Sequence, residues 1–342
     1  MSKRAGGIAM MVAAAALTAN AAPPVAAQSA EAFYQGRQVR FIVSTAAGGD
    51  YDQWSRVVAK HWSKHIPGQP TFIVQNMPGA GGIVMANHLF NQAPRDGGTI
   101  GMIGRNLPLQ AVLGDKNVRF EPARFHFIGS PEISNYVCAV MAGAPAERAD
   151  QLFKSEVLMA GAGAGTGTST MPPLFSRLLG FKMKLVEGYG SSTAGSLAME
   201  RGEVHGLCQS ITSLKAGRPG WIESGKLKVL FNTERKPIPG INAPTIFEFA
   251  KTEEQRRILT LFASTSELGR PIVAPPETPA DRVAVLRKGL AAALTDAELL
   301  ADAERQKLVV TAISGEDLQS LIREMTAASP ELIGQMQTMM KQ

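Results

Sequence analysis

Apolar, β-branched runs recur along this chain at 39–44, 71–74 and 99–103, and each is followed by a loop that carries glycine. Runs of that length and composition predict buried strands of a parallel sheet. Between them apolar positions repeat at helical spacing. Trp54, Val57, Val58, His61, Trp62 and His65 mark one helix, and 83–90 a second. Pro94-Arg95-Asp96-Gly97-Gly98 reads as a turn. The alternation of strand and helix predicts an α/β fold with right-handed crossovers. Further strands are predicted at 125–128, 136–140, 157–160, 185–187 and 204–208, with helices after the third and fourth. The chain is expected to cross into a second domain after 130, and the run 228–232 to return it to the first. One or two helices in 246–264, an extended Pro-rich segment at 270–276 and amphipathic helices at 281–294 and 297–306 follow. A short strand at 308–311 and a last helix opening at Ser314-Gly315-Glu316-Asp317 complete the pattern. The expected division is 28–130 with 229–342 for one lobe and 131–228 for the other.

Two glycine-rich stretches lie where this pattern passes from strand to helix: 44–52 (STAAGGDYD) and 76–82 (NMPGAGG). Such loops present free backbone N–H groups and the positive end of a helix dipole, which together receive anions. In parallel sheets ligands bind beyond the carboxyl ends of the strands, where both loops fall. Thr45, Ala46, Ala47 and Gly48, with Asn76, Gly79, Ala80, Gly81 and Gly82, are therefore candidates to grip a small carboxylate. Asp50 or Asp52 can cap the first helix, and Asn76 is as well suited to holding a turn. A third loop, 161–170, brings Gly165, Thr166, Thr168 and Ser169 as a second polar wall, with loop stabilisation as their alternative role. Tyr189 and Gln209 follow strands and either line a cleft or pack. Arg105 closes the third strand and pairs with a ligand carboxylate or with Asp96.

Composition narrows the classes. The 342 residues are 45% hydrophobic and only 6% aromatic, enough for two domains. Lys3-Arg4, the apolar stretch 6–22 and Val25-Ala26-Ala27 form a Sec-type signal segment over 1–27, which predicts a periplasmic mature chain. Without Lys3 and Arg4 the formal charge falls from +6 to +4, and no basic block reads as a nucleic-acid surface. Cys138 and Cys208 lie in separate strand-like runs; an oxidising compartment favours a disulfide between them over two free buried thiols. His61 and His65 are four apart, but no third ligand at metal spacing accompanies them, so no metal is expected. The 161–170 loop has GxGxG spacing, and neither GxGxxG nor a Walker pattern is present. Gly190-Ser191-Ser192-Thr193-Ala194 approaches the GxSxG elbow of serine hydrolases with Ala in the last place. A periplasmic hydrolase using Ser191 or Ser192 stays as an alternative.

A family likeness runs through these residues. Val39-x-Phe41-Ile42-Val43, Gly48-Gly49-x-x-Asp52-x-x-x-Arg56, Val74-x-Asn76-x-Pro78-Gly79-Ala80-Gly81-Gly82 and Ala93-Pro94-x-Asp96-Gly97 resemble the opening of Bug-type receptors, the extracytoplasmic solute-binding proteins of tripartite tricarboxylate transporters. The resemblance continues in Gly188-Tyr189-Gly190, Glu200-x-Gly202-Glu203-Val204, Gly225-Lys226-Leu227, Ala274-Pro275-Pro276 and Thr278-Pro279. It implies a two-lobed periplasmic binding protein of type II character, each lobe a mixed, mostly parallel sheet flanked by helices, with hinge strands between. It further implies a non-enzymatic monomer without cofactor that binds a small organic anion and delivers it to membrane permease subunits. By the resemblance, 45–49 and 79–82 are the carboxylate grip, and 165–169 and 188–192 close from the other lobe. Asp50-Tyr51 stands where many members have Ser-Thr, the 161–170 loop is richer in Gly than usual, and Gln209 replaces a common Asp that meets ligand amino groups. The last departure points away from an amino-acid ligand. A sensor receptor presenting its ligand to a signalling partner is a further alternative.

Overall fold

The computed structural model describes residues 29–163 and 166–340; the expected signal segment 1–27 and Gly165 lie outside the described residues. Strands β1–β11 are, in order, Gln38–Val43, Thr71–Asn76, Thr99–Met102, His126–Ser130, Tyr136–Met141, Val157–Ala160, Met183–Val186, Gly206–Ser210, Leu227–Asn232, Ile272–Ala274 and Ile313–Ser314. Helices α1–α12 are Ala30–Tyr34, Asp50–Trp62, Ile83–Asn91, Leu107–Val112, Gly167–Leu179, Ser192–Glu200, Ile211–Gly217, Glu253–Leu268, Ala280–Ala293, Ala297–Arg305, Gly315–Thr326 and Pro330–Met340.

These strands form two sheets, ordered β2-β1-β3-β10-β4-β11 and β7-β6-β8-β5-β9. β1 pairs in parallel with β2 and β3, and β6 with β7 and β8. β10 runs antiparallel between β3 and β4, and β5 antiparallel between β8 and β9. The two insertions share a logic. The chain leaves the first sheet at β4 and enters the second as its antiparallel strand; it leaves the second at β9 and re-enters the first as β10. The crossings are 131–135 and 233–271, and both run past the edge where the parallel strands end.

Both faces of each sheet are covered, which is why β3 is buried throughout and β5 over all but its last residue. One face of the first sheet packs Phe41, Ile100 and Ile272 against Trp54, Val58 and Trp62 of α2 and Leu286 and Leu290 of α9. The opposite face contributes to a core that runs without a break into the second lobe. It holds Ile42, Met85, Leu89 and Phe127 from one side, Cys138, Phe175 and Phe231 from the other, and Leu259 and Phe262 of α8 between. A third core lies under α6 and α7, around Val137, Leu207 and Ile211. Among the described residues no helix is long and apolar enough to cross a membrane.

Two expected strands are placed differently. Leu227–Asn232 does not return to the first lobe but pairs with β5 in the second sheet. Its apolar pattern does not reveal its partner, and the true return is the three-residue β10. Residues 308–311 are not a strand, because Thr311 is drawn to the first crossing by its N–H on Pro131 O (3.0 Å) and its hydroxyl under the Ile133 N–H (2.9 Å); pairing with β4 begins at Ile313.

Candidate functional site

The carboxyl ends of β1, β2 and β3 place their loops side by side. Asp52, buried in the first turn of α2, ties the first loop to the second. Its Oδ2 accepts the Gly48 N–H (2.8 Å) and Arg56 Nε–H (3.0 Å), and its Oδ1 accepts Asn76 Nδ2–H (2.9 Å). The same Asn76 amide donates to Thr45 O at 3.0 Å. The Arg56 bond above all, then the Gly48 and Asn76 bonds, hold the Asp52 carboxyl down at about 2 against the opposing effect of burial. Asn76 therefore locks the first loop to the second, and neither aspartate caps α2, whose N-cap is Gly49.

The second loop carries four successive residues in positive φ: Gly79 (144°), Ala80 (46°), Gly81 (64°) and Gly82 (98°). That run turns the backbone sharply enough for Gly82 to pack on Ser44, where a Cβ would stand 3.0 Å from the serine Cβ. A Cβ on Gly104, in the third loop, would stand 3.6 Å from Gly81 O, so all three loops meet. At this junction Ser44 Oγ and Thr45 Oγ1 are buried without a partner among the described residues. Buried hydroxyls ordinarily find one. The chain around Ala46, Ala47 and Gly48 is exposed, as is Gly81.

On the facing side the hydroxyls of the 161–170 loop serve the loop itself. Thr166 Oγ1 donates to Gly163 O (2.7 Å), Thr168 Oγ1 accepts the Ala162 N–H (3.0 Å), and Ser169 Oγ accepts the Gly163 N–H (3.1 Å) and donates to Glu187 (3.1 Å). None of them caps α5, whose N-cap Thr166 makes no side-chain cap bond. Tyr189 is turned to Glu203, with its hydroxyl 3.5 Å away, and Gln209 is buried in β8 opposite Val137. Ser191 Oγ is taken by the Ala194 N–H (3.1 Å), the N-cap bond of α6. Cys138 and Cys208 face each other across β5 and β8 and are joined as a disulfide.

Between the sheets lies a charged strip that sequence spacing does not announce. The Arg105 guanidinium stacks 4.4 Å over the ring of Tyr136, the first residue of β5, and its backbone N–H donates to Tyr51 Oη (3.2 Å). It does not pair with Asp96, which takes Arg37 at 3.2 Å, and among the described residues no carboxylate forms an ion pair with it. Burial lowers its pKa. Arg270 at the second crossing stacks 4.6 Å over Tyr51, binds the Asp50 carboxylate, donates to Ser134 Oγ (2.7 Å) and lies 3.7 Å from Glu132. Glu234 accepts the Tyr136 N–H at 2.8 Å, and burial pushes its carboxyl up to about 8. Arg105, Tyr136, Gly167, Met171 and Phe262 line a cavity of about 60 Å³, where Gln110 Oε1 is buried without a partner among the described residues. A groove of about 700 Å³ between α9 and the start of α11 is larger, but it is walled by Val283, Leu290 and Ile313 and lies away from the three loops. The strip joins a stacked guanidinium that follows β3 of the first sheet to an aromatic that opens β5 of the second.

Comparison with known proteins agrees with this architecture. The model of the tripartite tricarboxylate transporter family receptor matches residues 54–337. A Cupriavidus necator protein described as "UPF0065 protein in gbd 5'region" is 30% identical over 226 residues, and the match spans 66% of each chain. A TctC solute binding protein from Polaromonas, solved without ligand, superposes with a TM-score of 0.69 at 21% identity over 88% of this chain and 99% of that one. An R. palustris protein solved with adipate gives a TM-score of 0.62 at 20% identity over 88% and 97%. At these identities the structures establish the two-lobed fold of periplasmic binding proteins, and the family match sets the class: the chain belongs to the tripartite tricarboxylate transporter receptor family, whose members are solute-binding proteins.

Proposed function

We propose that this chain is a periplasmic receptor that captures a small organic carboxylate between its lobes and delivers it to the permease of a tripartite transporter. The observation that carries the reading is the pair of orphaned hydroxyls, Ser44 Oγ and Thr45 Oγ1, buried beside four left-handed residues at the meeting of three strand-end loops. A carboxylate there receives the exposed N–H groups of the first two loops, with Ser44 and Thr45 donating from beneath. Arg105 faces the remainder of the ligand from the interlobe strip. Ligand touching both lobes favours the closed state by its differential affinity for it. Adipate in the structurally similar R. palustris protein supports a linear dicarboxylate as the first compound to try. The hydrolase alternative loses support at Ser191, whose Oγ is engaged as a helix cap.

A thermal-shift screen of adipate, succinate, citrate and aromatic acids tests the reading. At least one acid is expected to raise Tm, because a ligand at about 100 times its Kd adds roughly 2.7 kcal/mol to stability. Gly81→Val, which places a β-branched residue at φ 64° in otherwise open space, is expected to weaken that binding by about tenfold or more. No response to any carboxylate, or an unchanged affinity in Gly81→Val, would sink the assignment of the grip.

A further inference from the structure

His61, in the last turn of α2, and His65, which closes the 3-10 turn that follows it, lie away from the three strand-end loops. Their partners come from α10 and its cap, more than 200 residues later in the chain. His61 is only 6% exposed. Its Nε2 lies 3.0 Å from Asp302 Oδ2, a contact that suits the tautomer with its proton on Nε2 and its lone pair on Nδ1. Nδ1 makes no hydrogen bond among the described residues; the nearest carboxylate oxygen, on Glu298, is 3.9 Å away. Asp296 is fixed as well. Its Oδ1 accepts the Glu298 N–H at 2.8 Å, and its Oδ2 lies 3.0 Å from His65 Nε2. One nitrogen and two oxygens, from His61, Asp296 and Glu298, thus lie within 4.8 Å of one another.

We propose that His61, Asp296 and Glu298 form a site for a divalent transition metal, which staples the end of α2 to the start of α10. An imidazole held from behind by a carboxylate is how metal-binding histidines are oriented, and Asp302 supplies that support. One imidazole with two carboxylates, completed by water, suits Zn²⁺ better than Mg²⁺ or Ca²⁺, which prefer all-oxygen shells. Lys64 Nζ stands 2.9 Å from Asp296 and 2.8 Å from Glu298, as the cation that the metal displaces. The lysine side chain is 39% exposed on a flexible stem and can turn into solvent. His61 lies 11 residues beyond Asp50, the first residue of α2, so the site is about 16 Å from the cleft end of that helix.

The probe is ZnCl₂, titrated by calorimetry into tag-free mature protein after chelator treatment, with Tm followed in parallel. One Zn²⁺ per chain and a rise in Tm are expected. Glu298→Gln, a 75% exposed side chain whose loss leaves the fold intact, is expected to weaken binding by about tenfold or more. Lys64→Met is expected to tighten it by about threefold or more, because the competing ammonium is gone. A salt-bridge cluster with no metal role does not give that gain. Absence of Zn²⁺ binding at about 100 μM, unchanged affinity in Glu298→Gln, or no gain in Lys64→Met would each overturn the proposal.

Discussion

Asp52 and Glu234 are both buried carboxyls, and their surroundings drive them in opposite directions. Asp52 receives three donors and is held at about 2, below the ordinary 3.8. Its contribution to stability is therefore complete above about pH 4 and lost as pH falls through 2. Asp52→Asn is expected to cost about 1–3 kcal/mol at neutral pH, read by denaturant unfolding. Glu234 sits at about 8, above the ordinary 4.5. Between those values the folded chain keeps a proton that the unfolded chain has released, so stability falls as pH rises from 4.5 to 8. Glu234→Gln keeps an acceptor for the Tyr136 N–H and removes the ionisation, so its Tm is expected to exceed that of the parent by more at pH 9 than at pH 5. An equal difference at both values contradicts the buried titration. At this scale the sequence was least readable. It marked Asn76, Thr166, Thr168 and Ser169 as polar residues at loop tips, but their direction depends on partners such as Asp52 and Glu187, brought in by folding. Tyr136, Arg270 and Glu234 carry no local signal, since their meeting depends on where the chain crosses between sheets.

At the level of elements, strand and helix positions were largely legible because period and glycine punctuation are local properties. β1, β2, β3 and β6 and the helices after the first two strands match the apolar pattern within a few residues. Partnership was not legible. β9 and β5 pair across most of the second lobe's sequence, and nothing in Leu227–Asn232 names its neighbour. The disulfide shows the same dependence: Cys138 and Cys208 become opposite each other only through the antiparallel register of β5 and β8. It closes a 70-residue separation inside the second sheet, so Cys138→Ala with Cys208→Ala is expected to cost about 2–5 kcal/mol. A Tm unchanged by the double substitution, and by reduction of the parent, would show that the bond adds nothing to stability.

At the scale of the whole molecule, two sheets do not mean two independent cores. The core around α8 holds residues of both, and α12 binds each side: Gln337 Nε2 donates to Leu113 O at 2.7 Å, and the Met339 carbonyl accepts from Arg177 at 2.6 Å. Differential scanning calorimetry is therefore expected to show one cooperative transition, with calorimetric and van't Hoff enthalpies in agreement. Two resolved transitions would mean that the shared core does not couple the lobes. The family-wide architecture was readable from the glycine loops and their flanking strands; the continuity of the core was not, because it depends on the packing of α8 and α12.

The antiparallel insertion of β10 has a consequence in time. The second sheet draws all its strands from one unbroken stretch, residues 136–232, and can assemble as soon as that stretch is available. The first sheet cannot. β3 ends at Met102, yet the strand that covers its open side begins at Ile272, so a chain emerging from its N-terminus carries a half-built sheet until most of its length has followed. The lobe that begins first is finished last, and the glycine loops at its edge stand on a sheet that closes only when the chain is nearly complete.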